Sequence, residues 1–264
     1  MKAVIAAAGL GTRLLPASKE IPKEMFPVFV RSGGRIEVKP VLQVIFEQLY
    51  SVGVREFCFV VGRGKRVVED YFTPDWHFVE RLEASGKLEQ AEALRRFYSM
   101  VESSVIMYVN QPQPLGFGHA VLMAEPFVDG DFLVVAGDTF LDGDSSLRAL
   151  VGSPPIALMV AEVEDPRQYG VVVLRDGRVV KVVEKPREPP SNLAILPFYK
   201  FPGDFFKYLR RVGRGVGGEI QLTDAIQLAI DDGVEARAVV HRGVYIDVGT
   251  PQTYLRALEL ALRA

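Results

Sequence analysis

Short apolar runs alternate with helix-like segments along the first half of the chain, and this alternation constrains the fold more than any other feature. The strand-like runs are Lys2 to Ala7, Phe57 to Val61, Val105 to Val109 and Phe132 to Ala136. Strands separated by helices are typical of βαβ units around a parallel sheet. Between the first two runs, a segment with apolar residues at helical spacing begins at Pro40 and ends at Gly53. It predicts a helix packed on that sheet.

The pattern of the remaining segments predicts the rest of the architecture. The amphipathic region from Glu80 to Val101 is interrupted by Gly86 and predicts one or two outer helices. Beyond about residue 150, strands are predicted at Ile156 to Val163, Gly170 to Leu174 and Val179 to Glu184, with a hairpin turn at Asp176-Gly177. Helices are predicted at Gly203 to Val212, Leu222 to Asp232 and Pro251 to Leu262, the last with Thr250 as its N-cap. We therefore expect an α/β protein, a Rossmann-like three-layer α/β/α fold with a mixed, mainly parallel central sheet, in a single domain over residues 1–264.

Composition excludes several classes of protein. The chain has 264 residues, 48% of them hydrophobic, and a formal net charge of −2, which excludes a disordered chain and an overall basic surface for nucleic acid or anionic membranes. No uninterrupted apolar stretch approaches the roughly 18 residues that span a bilayer. The single cysteine, Cys58, excludes an internal disulfide and a cysteine-built metal site, and it fits a cytoplasmic protein. The scarcity of asparagine suggests either a heat-loving source or an accident of a small sample.

A glycine-containing loop follows the first strand, where α/β proteins bind phosphate groups with backbone N–H groups. It runs from Ala6 to Arg13 and includes Ala8, Gly9, Gly11 and Thr12. Leu14 stands where a dinucleotide fingerprint has its third glycine, and no Gly-Lys-Ser/Thr of a Walker loop follows. Arg13 and the later Lys23 supply positive charge. The alternative is a tight turn with solvated charges.

Two aspartates are candidate Mg²⁺ ligands. Asp138 comes directly after an apolar strand, at the end that faces the ligand crevice in parallel sheets, and Asp247 stands in a comparable setting. Alternatively, Asp138 caps the following turn.

Three other segments carry groups suited to a flat base, to sugar hydroxyls or to a phosphate. The loop from Gln111 to Ala120 has a side-chain amide and Gly116, which suit a flat base, although an ordinary loop fits as well. Glu184 and Lys185 end a strand, where they suit sugar hydroxyls and phosphate or are simply solvated charges. Glu219 either binds a sugar or favours a helix N-terminus.

The chain shows no convincing pair of nucleophile and base and no Gly-x-Ser-x-Gly elbow. Cations and carboxylates without a nucleophile favour phosphoryl or nucleotidyl transfer, in which positioning and charge neutralisation dominate.

Taken together, these segments resemble the nucleoside-diphosphate-sugar pyrophosphorylases, and most closely their bacterial uridylyltransferase branch. The matching stretches are Ala7 to Pro27, Tyr108 to Val121, Val183 to Pro186, Pro190 to Ile195 and Gly217 to Ile226. The resemblance implies that UTP and glucose 1-phosphate react to give UDP-glucose and pyrophosphate, with Mg²⁺ as cofactor. It also implies a homodimer or homotetramer, with nucleotide-binding residues in about 1–150 and sugar-binding residues in about 151–264.

The resemblance further implies a role for each matching residue. Arg13 and Lys23 would stabilise the leaving pyrophosphate, and Asp138 and Asp247 would hold Mg²⁺. Lys185 would bind the sugar phosphate. The nucleotide would contact Ala8, Gly9, Gly11, Thr12, Glu24, Gln111 and Gly116, and the sugar would contact Gly170, Glu184, Lys185 and Glu219.

Several alternatives remain open at this point. Uracil and thymine share a hydrogen-bonding edge, so a thymidylyltransferase that uses dTTP is the first alternative, followed by a noncatalytic sugar-nucleotide sensor and a Rossmann dehydrogenase. Leu196-Pro197 replaces the family's usual Gly-Arg near the expected sugar, which leaves the sugar open, and Arg31 to Lys39 is inserted.

Overall fold

The computed structural model describes residues 1–32, 34–154 and 156–263. The strands are β1 (Lys2–Ala7), β2 (Pro27–Ser32), β3 (Arg35–Pro40), β4 (Glu56–Val61), β5 (Val105–Asn110), β6 (Phe132–Ala136), β7 (Thr139–Leu141), β8 (Ile156–Glu162), β9 (Gly170–Arg175), β10 (Arg178–Glu184), β11 (Leu193–Phe201), β12 (Ala236–Val240) and β13 (Tyr245–Asp247). The helices are α1 (Val41–Ser51), α2 (Arg66–Tyr71), α3 (Trp76–Ala84), α4 (Leu88–Glu102), α5 (Phe117–Met123), α6 (Ser145–Val151), α7 (Phe206–Leu209), α8 (Leu222–Asp231) and α9 (Pro251–Arg263).

A nine-stranded sheet in the order β5-β4-β1-β6-β11-β8-β12-β10-β9 forms the centre of the molecule. Pairing is parallel from β5 through β4 and β1 to β6, and between β8 and β12. Strand β11 lies antiparallel to both β6 and β8, and so joins the two halves of the chain. Strand β9 also pairs with β11 at Ala194 and Val171, so the sheet curves back on itself. The predicted α/β class and mixed sheet are confirmed.

Apolar side chains cover both faces of this sheet. In β1, Ala3 and Ile5 belong to one core, which includes residues of α1 and α4, whereas Val4 belongs to a second core with residues of α5 and α8. A strand buried on both faces is apolar at successive positions rather than at every second one. This explains the uninterrupted apolar run of β1 and confirms the three-layer arrangement.

The predicted helices differ from the observed ones mainly at their ends. The region around Gly86 forms two helices, α3 and α4, because Gly86 has a φ of +71° between them. Helix α9 begins after Thr250, whose Oγ1 accepts a hydrogen bond from the Thr253 N–H at 3.1 Å, as expected of its N-cap. The helix predicted from Gly203 to Val212 is reduced to α7 and a preceding 3₁₀ turn.

The inserted segment forms most of an unpredicted hairpin. Strands β2 and β3 pair antiparallel through this region. Arg35 pairs with Glu89 at 2.8 Å and Arg96 with Glu37 at 2.9 Å, and these ion pairs tie β3 to α4 and its N-terminus. The insertion is therefore docked on the outer helices.

The Leu196-Pro197 pair lies within β11, the strand between the two halves of the sheet. Leu196 is buried in the first core. Pro197 falls where the register between β11 and β8 shifts, between Ile195 and Tyr199. A proline has no N–H to give to a ladder, so it is accommodated where the regular pairing is interrupted.

Within the described ranges, no helix combines the length and the apolar character needed to cross a bilayer.

Candidate functional site

A cavity of about 380 Å³ lies beside the carboxyl ends of β1 and β6, where parallel sheets bind ligands. Residues predicted from the sequence to bind substrate or metal line much of it: Ala8, Gly9, Gly11, Thr12, Arg13, Lys23, Glu24, Gln111, Gly116, Asp138 and Glu219. The lining also includes residues that were not predicted individually: Ala6 and Leu10 of the glycine loop, Pro114, Phe117 and Ala120 of the loop from Gln111 to Ala120, Ala136 at the end of β6, and Gly249. The structure thus brings the glycine loop, two cationic side chains and three carboxylates to one cavity.

The glycine loop turns sharply after β1. Gly11 has a φ of +64°, and a Cβ at this position would lie 3.1 Å from the Cβ of Ser18. The Ser18 hydroxyl donates a hydrogen bond to the Gly11 carbonyl at 2.7 Å. Glycine is needed here because the backbone is left-handed and a second segment packs against it.

Lys23 and Asp138 form an ion pair at the cavity wall. Lys23 lies in a short 3₁₀ turn, and its Nζ contacts Asp138 Oδ2. Burial would lower the pKa of Lys23, but the nearby carboxylates of Asp138, Glu24 and Asp247 together outweigh burial and raise it, Asp138 most of all. Lys23 is therefore held as a cation inside the cavity.

Asp247 lies beside Asp138 because the two short strands β7 and β13 pair with each other. Thr139 is opposite Asp247 in this pairing, and the Val248 N–H donates to the Asp138 carbonyl at 2.9 Å. Burial and then the charge of Asp138 raise the pKa of Asp247 to about 6, against the opposing effects of Lys23 and Arg13. Two carboxylates in such a setting attract a further cation.

This carboxylate pair fits Mg²⁺ by its chemistry. Mg²⁺ is usually held by one or two carboxylates, with substrate phosphates and water as the other ligands. Across the residues that the structure describes, no group of three or more His, Cys, Asp or Glu side chains could hold a metal. A Mg²⁺ site with two protein carboxylates agrees with the usual ligands of the ion and does not need a larger cluster of ligating side chains.

Arg13 lines the cavity and meets Asp247 at Gly249, although Asp247 itself is outside the cavity lining. A Cβ at Gly249 would lie 3.0 Å from Arg13 Nη2 and 2.8 Å from Asp247 Oδ2. The absence of a side chain at this position therefore lets the guanidinium and the carboxylate approach each other.

The opposite wall of the cavity joins two segments that are far apart in the sequence. The Gly118 N–H donates to the Ile220 carbonyl at 2.9 Å, and the Ile220 N–H donates to the Leu115 carbonyl at 2.8 Å. Gly116 has a φ of +105°, and a Cβ there would lie 2.6 Å from the Cβ of Glu219. This contact places Glu219 at the cavity.

Gln111 is buried beneath this loop and stabilises it. Its side-chain amide donates to the Gly116 carbonyl at 3.1 Å and lies 2.9 Å from His119 Nδ1. Burial lowers the pKa of His119. His119 lies in the first turn of α5 with Gln111 as the partner of its ring, and it does not line the cavity.

Comparisons with known proteins agree with this geometry. The sequence profile of the nucleotidyl transferase family matches residues 2–263. The chain belongs to this family. It is 39% identical over 241 residues to a UTP–glucose-1-phosphate uridylyltransferase of Bacillus subtilis (strain 168), covering 86% of this chain and 79% of that protein.

Solved structures show the same similarity for this nucleotidyl transferase. A UDP-glucose pyrophosphorylase complexed with UDP-glucose superposes with a TM-score of 0.85 at 30% identity, covering 99% of this chain and 98% of the other. A UTP-bound enzyme of the same type from Acinetobacter baumannii gives a TM-score of 0.83 at 30% identity, covering 99% and 96%.

Of the residues predicted for the sugar, Glu219 lines the nucleotidyl transferase's cavity, whereas Gly170, Glu184 and Lys185 form a second cluster outside its lining. Glu184 Oε2 accepts a hydrogen bond from Thr223 Oγ1 at 2.9 Å, and Lys185 Nζ lies 3.5 Å from Glu184 Oε1. A Cβ at Gly170 would lie 2.8 Å from Thr223 Cγ2. Because Thr223 lies on α8, which begins just after Glu219, this cluster is connected to the cavity wall.

Sequence analysis missed Lys65. Its Nζ donates to both carboxylate oxygens of Glu24 at 2.9 Å and also contacts the Ala7 carbonyl. Glu24 is 1% exposed and Lys65 8%; burial raises the pKa of Glu24 and lowers that of Lys65. The available signal was its position, since Lys65 follows the carboxyl end of strand β4 next to β1.

Proposed function

We propose that this nucleotidyl transferase converts UTP and glucose 1-phosphate into UDP-glucose and pyrophosphate. The observation that carries the proposal is the cavity itself, in which a glycine loop, Arg13, Lys23 and Asp138 meet beside the slot formed by Gln111 and Gly116. The names of the similar proteins support UTP and glucose 1-phosphate as the substrates.

The proposed reaction is an in-line displacement at the α-phosphorus of UTP. An oxygen of the sugar phosphate forms a new P–O bond while the bond between the α-phosphorus and its bridging oxygen breaks, and pyrophosphate leaves with that electron pair. The attacking phosphate is already ionised, so no protein base is required. Positioning and charge neutralisation supply catalysis of this kind.

Arg13 and Lys23 neutralise charge on the nucleotide phosphates and the leaving pyrophosphate. Backbone groups from Ala8 to Thr12, in the glycine loop, hold the phosphates. Glu24 lines the same cavity, and its carboxylate is bound to Lys65. Fixed cations stabilise developing negative charge because they need no reorganisation during the reaction.

Asp138 and Asp247 would hold Mg²⁺. When bound, the ion supplies positive charge beside the transferred phosphoryl group. The protein's contribution is the half-buried pair of carboxylates, together with Lys23, which holds the Asp138 side chain in place.

Base and sugar occupy opposite sides of the phosphates in this proposal. Gln111 and the backbone of Gly116 bind the pyrimidine edge, so the nucleotide is held mainly by residues in 1–150. Lys185 binds the sugar phosphate, and Gly170, Glu184 and Glu219 line the glucose, so the sugar is held mainly by residues in 151–264.

The cellular location, the oligomeric state and the type of source organism are also proposals. The single buried Cys58 supports a cytoplasmic location. The resemblance to the pyrophosphorylases supports a homodimer or homotetramer, and the low asparagine content supports a source that grows at high temperature.

The proposed reaction is tested by measuring pyrophosphate release with Mg²⁺ for each pairing of a nucleotide with a sugar 1-phosphate. The nucleotides are UTP, dTTP, ATP, CTP and GTP, and the sugars are glucose, galactose, mannose and N-acetylglucosamine. We expect the highest kcat/KM with UTP and glucose 1-phosphate. A preference for dTTP would instead make the enzyme a thymidylyltransferase, and no turnover by folded protein would favour a noncatalytic sensor.

A further inference from the structure

The glycine loop is supported from behind by the connection between β4 and α2. A Cβ at Gly62 would lie 3.0 Å from the Ala8 carbonyl oxygen, so this connection packs directly against the loop. Lys65 ends the connection, and its N–H donates to the Gly62 carbonyl at 3.3 Å. The Lys65 side chain therefore starts from a backbone that already touches the phosphate-binding segment.

The Lys65 ammonium joins the connection after β4, on which it lies, to two other parts of the chain. It contacts the Ala7 carbonyl at the end of β1 and both oxygens of Glu24 in the 3₁₀ turn that also carries Lys23. An ammonium has three N–H donors, and these three acceptors account for all of them. Lys65 is thus committed to protein groups and has no donor left for a substrate phosphate.

The contact to Ala7 determines the direction of the next N–H group. The carbonyl of Ala7 and the N–H of Ala8 belong to one planar trans peptide and point to opposite sides of it. Lys65 reaches the Ala7 carbonyl from the connection after β4, so the Ala8 N–H is directed to the opposite side of this peptide, the side on which β1 pairs with β6. The contact to Glu24 fixes the turn from which Lys23 reaches Asp138.

We propose that Lys65 is a positioning residue for nucleotide binding, which holds the Ala7–Ala8 peptide and the turn of Lys23 in the orientation that the phosphates require. This inference rests on the proposed function for the identity of the nucleotide, but the contacts that carry it do not depend on which sugar is used.

The test separates positioning from stability with two variants and a reference. Lys65→Met alone leaves Glu24 buried without a partner, which is strongly destabilising. Lys65→Met combined with Glu24→Gln removes both charges. Glu24→Gln alone is the reference, because it keeps the lysine contact to Ala7.

Binding of UTP and of inorganic pyrophosphate is measured by calorimetry, together with kcat and Tm. Relative to Glu24→Gln, the double variant should bind both ligands at least about tenfold more weakly and have a lower kcat, as expected when a hydrogen bond to a charged group is lost. Its Tm should be no lower than that of Glu24→Gln, because this reference leaves the buried Lys65 cation without its carboxylate partner.

Lys200→Met is the matched control for loss of a buried lysine. Lys200 is 7% exposed and donates to the Val151 and Ser153 carbonyls at 3.0 and 2.7 Å, outside the cavity. This variant should have a lower Tm but the same affinity for UTP as the wild type.

Two results would overturn the role of Lys65: equal ligand affinity and kcat in the double variant and Glu24→Gln, or wild-type protein that binds neither UTP nor pyrophosphate. Wild-type protein that binds pyrophosphate but does not turn over UTP with glucose 1-phosphate would overturn only the proposed reaction. In that case, the affinities of the variants for pyrophosphate still decide the role of Lys65.

Discussion

At the scale of single residues, the cavity concentrates charges that disfavour one another in the free protein. Asp247 has a pKa raised to about 6 by burial and by Asp138, whereas Asp138 gains a favourable ion pair with Lys23. The two carboxylates therefore contribute to stability with opposite signs. The loss of stability caused by the Asp247 charge is expected where side chains are arranged for a ligand rather than for the fold.

Replacing each carboxylate by its amide should reveal this difference. At pH 8 without metal, Asp247→Asn should raise Tm by roughly 5 °C, because it removes a charge that the fold disfavours. Asp138→Asn should lower Tm, because Lys23 loses its partner. Both variants should lose at least about 100-fold in kcat with Mg²⁺ if the carboxylates bind the ion.

The control for these amide variants is Asp129→Asn, which removes a surface carboxylate whose side chain is 80% exposed. It should leave kcat unchanged. Wild-type turnover in Asp138→Asn and Asp247→Asn would contradict the metal assignment. A lower Tm in Asp247→Asn would contradict the inference that the Asp247 charge destabilises the fold.

At the scale of elements, the site depends on loops that come from different strands and helices. The loop between β5 and α5 is bonded to the segment before α8 through Gly118 and Ile220. No short-range pattern links these segments, because they are about a hundred residues apart. Their close approach depends on glycine at 116, where a side chain would meet Glu219 and the Ile220 backbone.

Gly116→Ala should separate these two segments. Its φ of +105° is strained for alanine, and the new Cβ would lie 2.9 Å from the Ile220 carbonyl oxygen. We expect KM for UTP to rise about tenfold and Tm to fall, as measured by steady-state kinetics and thermal unfolding. Gly213→Ala, at an exposed glycine with open space around its Cα, should change neither quantity. An unchanged KM in Gly116→Ala would show that this wall does not bind the nucleotide.

At the scale of the whole molecule, the central sheet connects the parts assigned to nucleotide and sugar. Strand β11, from the second part, lies between β6 and β8 and pairs with both. Neither part can separate without breaking this ladder. The residue clusters proposed to bind the two substrates are therefore held in a fixed relation, which the proposed in-line transfer requires.

This arrangement should make unfolding a single cooperative transition. The only tryptophan, Trp76, reports on the first part, while far-UV circular dichroism reports on the whole chain. The midpoints of both signals should coincide within about 1 °C, and pyrophosphate should raise both equally. Two separate midpoints would show that the parts unfold independently.

Local sequence determined the elements whose signal lies within a few residues. The apolar runs of β1, β4, β5 and β6 identified these strands. For β1, β4 and β6 the reason is that a strand buried on both faces must be apolar throughout, whereas β5 lies at the edge of the sheet and exposes Val105 and Met107. The glycine loop and Asp138 were also predicted, because each follows directly after such a strand. Thr250 was identified as an N-cap by its position alone and does cap α9.

Only the tertiary structure decided which distant groups meet. The Lys65 ion pair with Glu24, the antiparallel insertion of β11 and the approach of Asp247 to Asp138 each join segments far apart in the chain. Their local sequences are compatible with solvated charges or an ordinary strand. What distinguishes them is burial among particular neighbours, and burial is a property of the packed molecule rather than of any short segment.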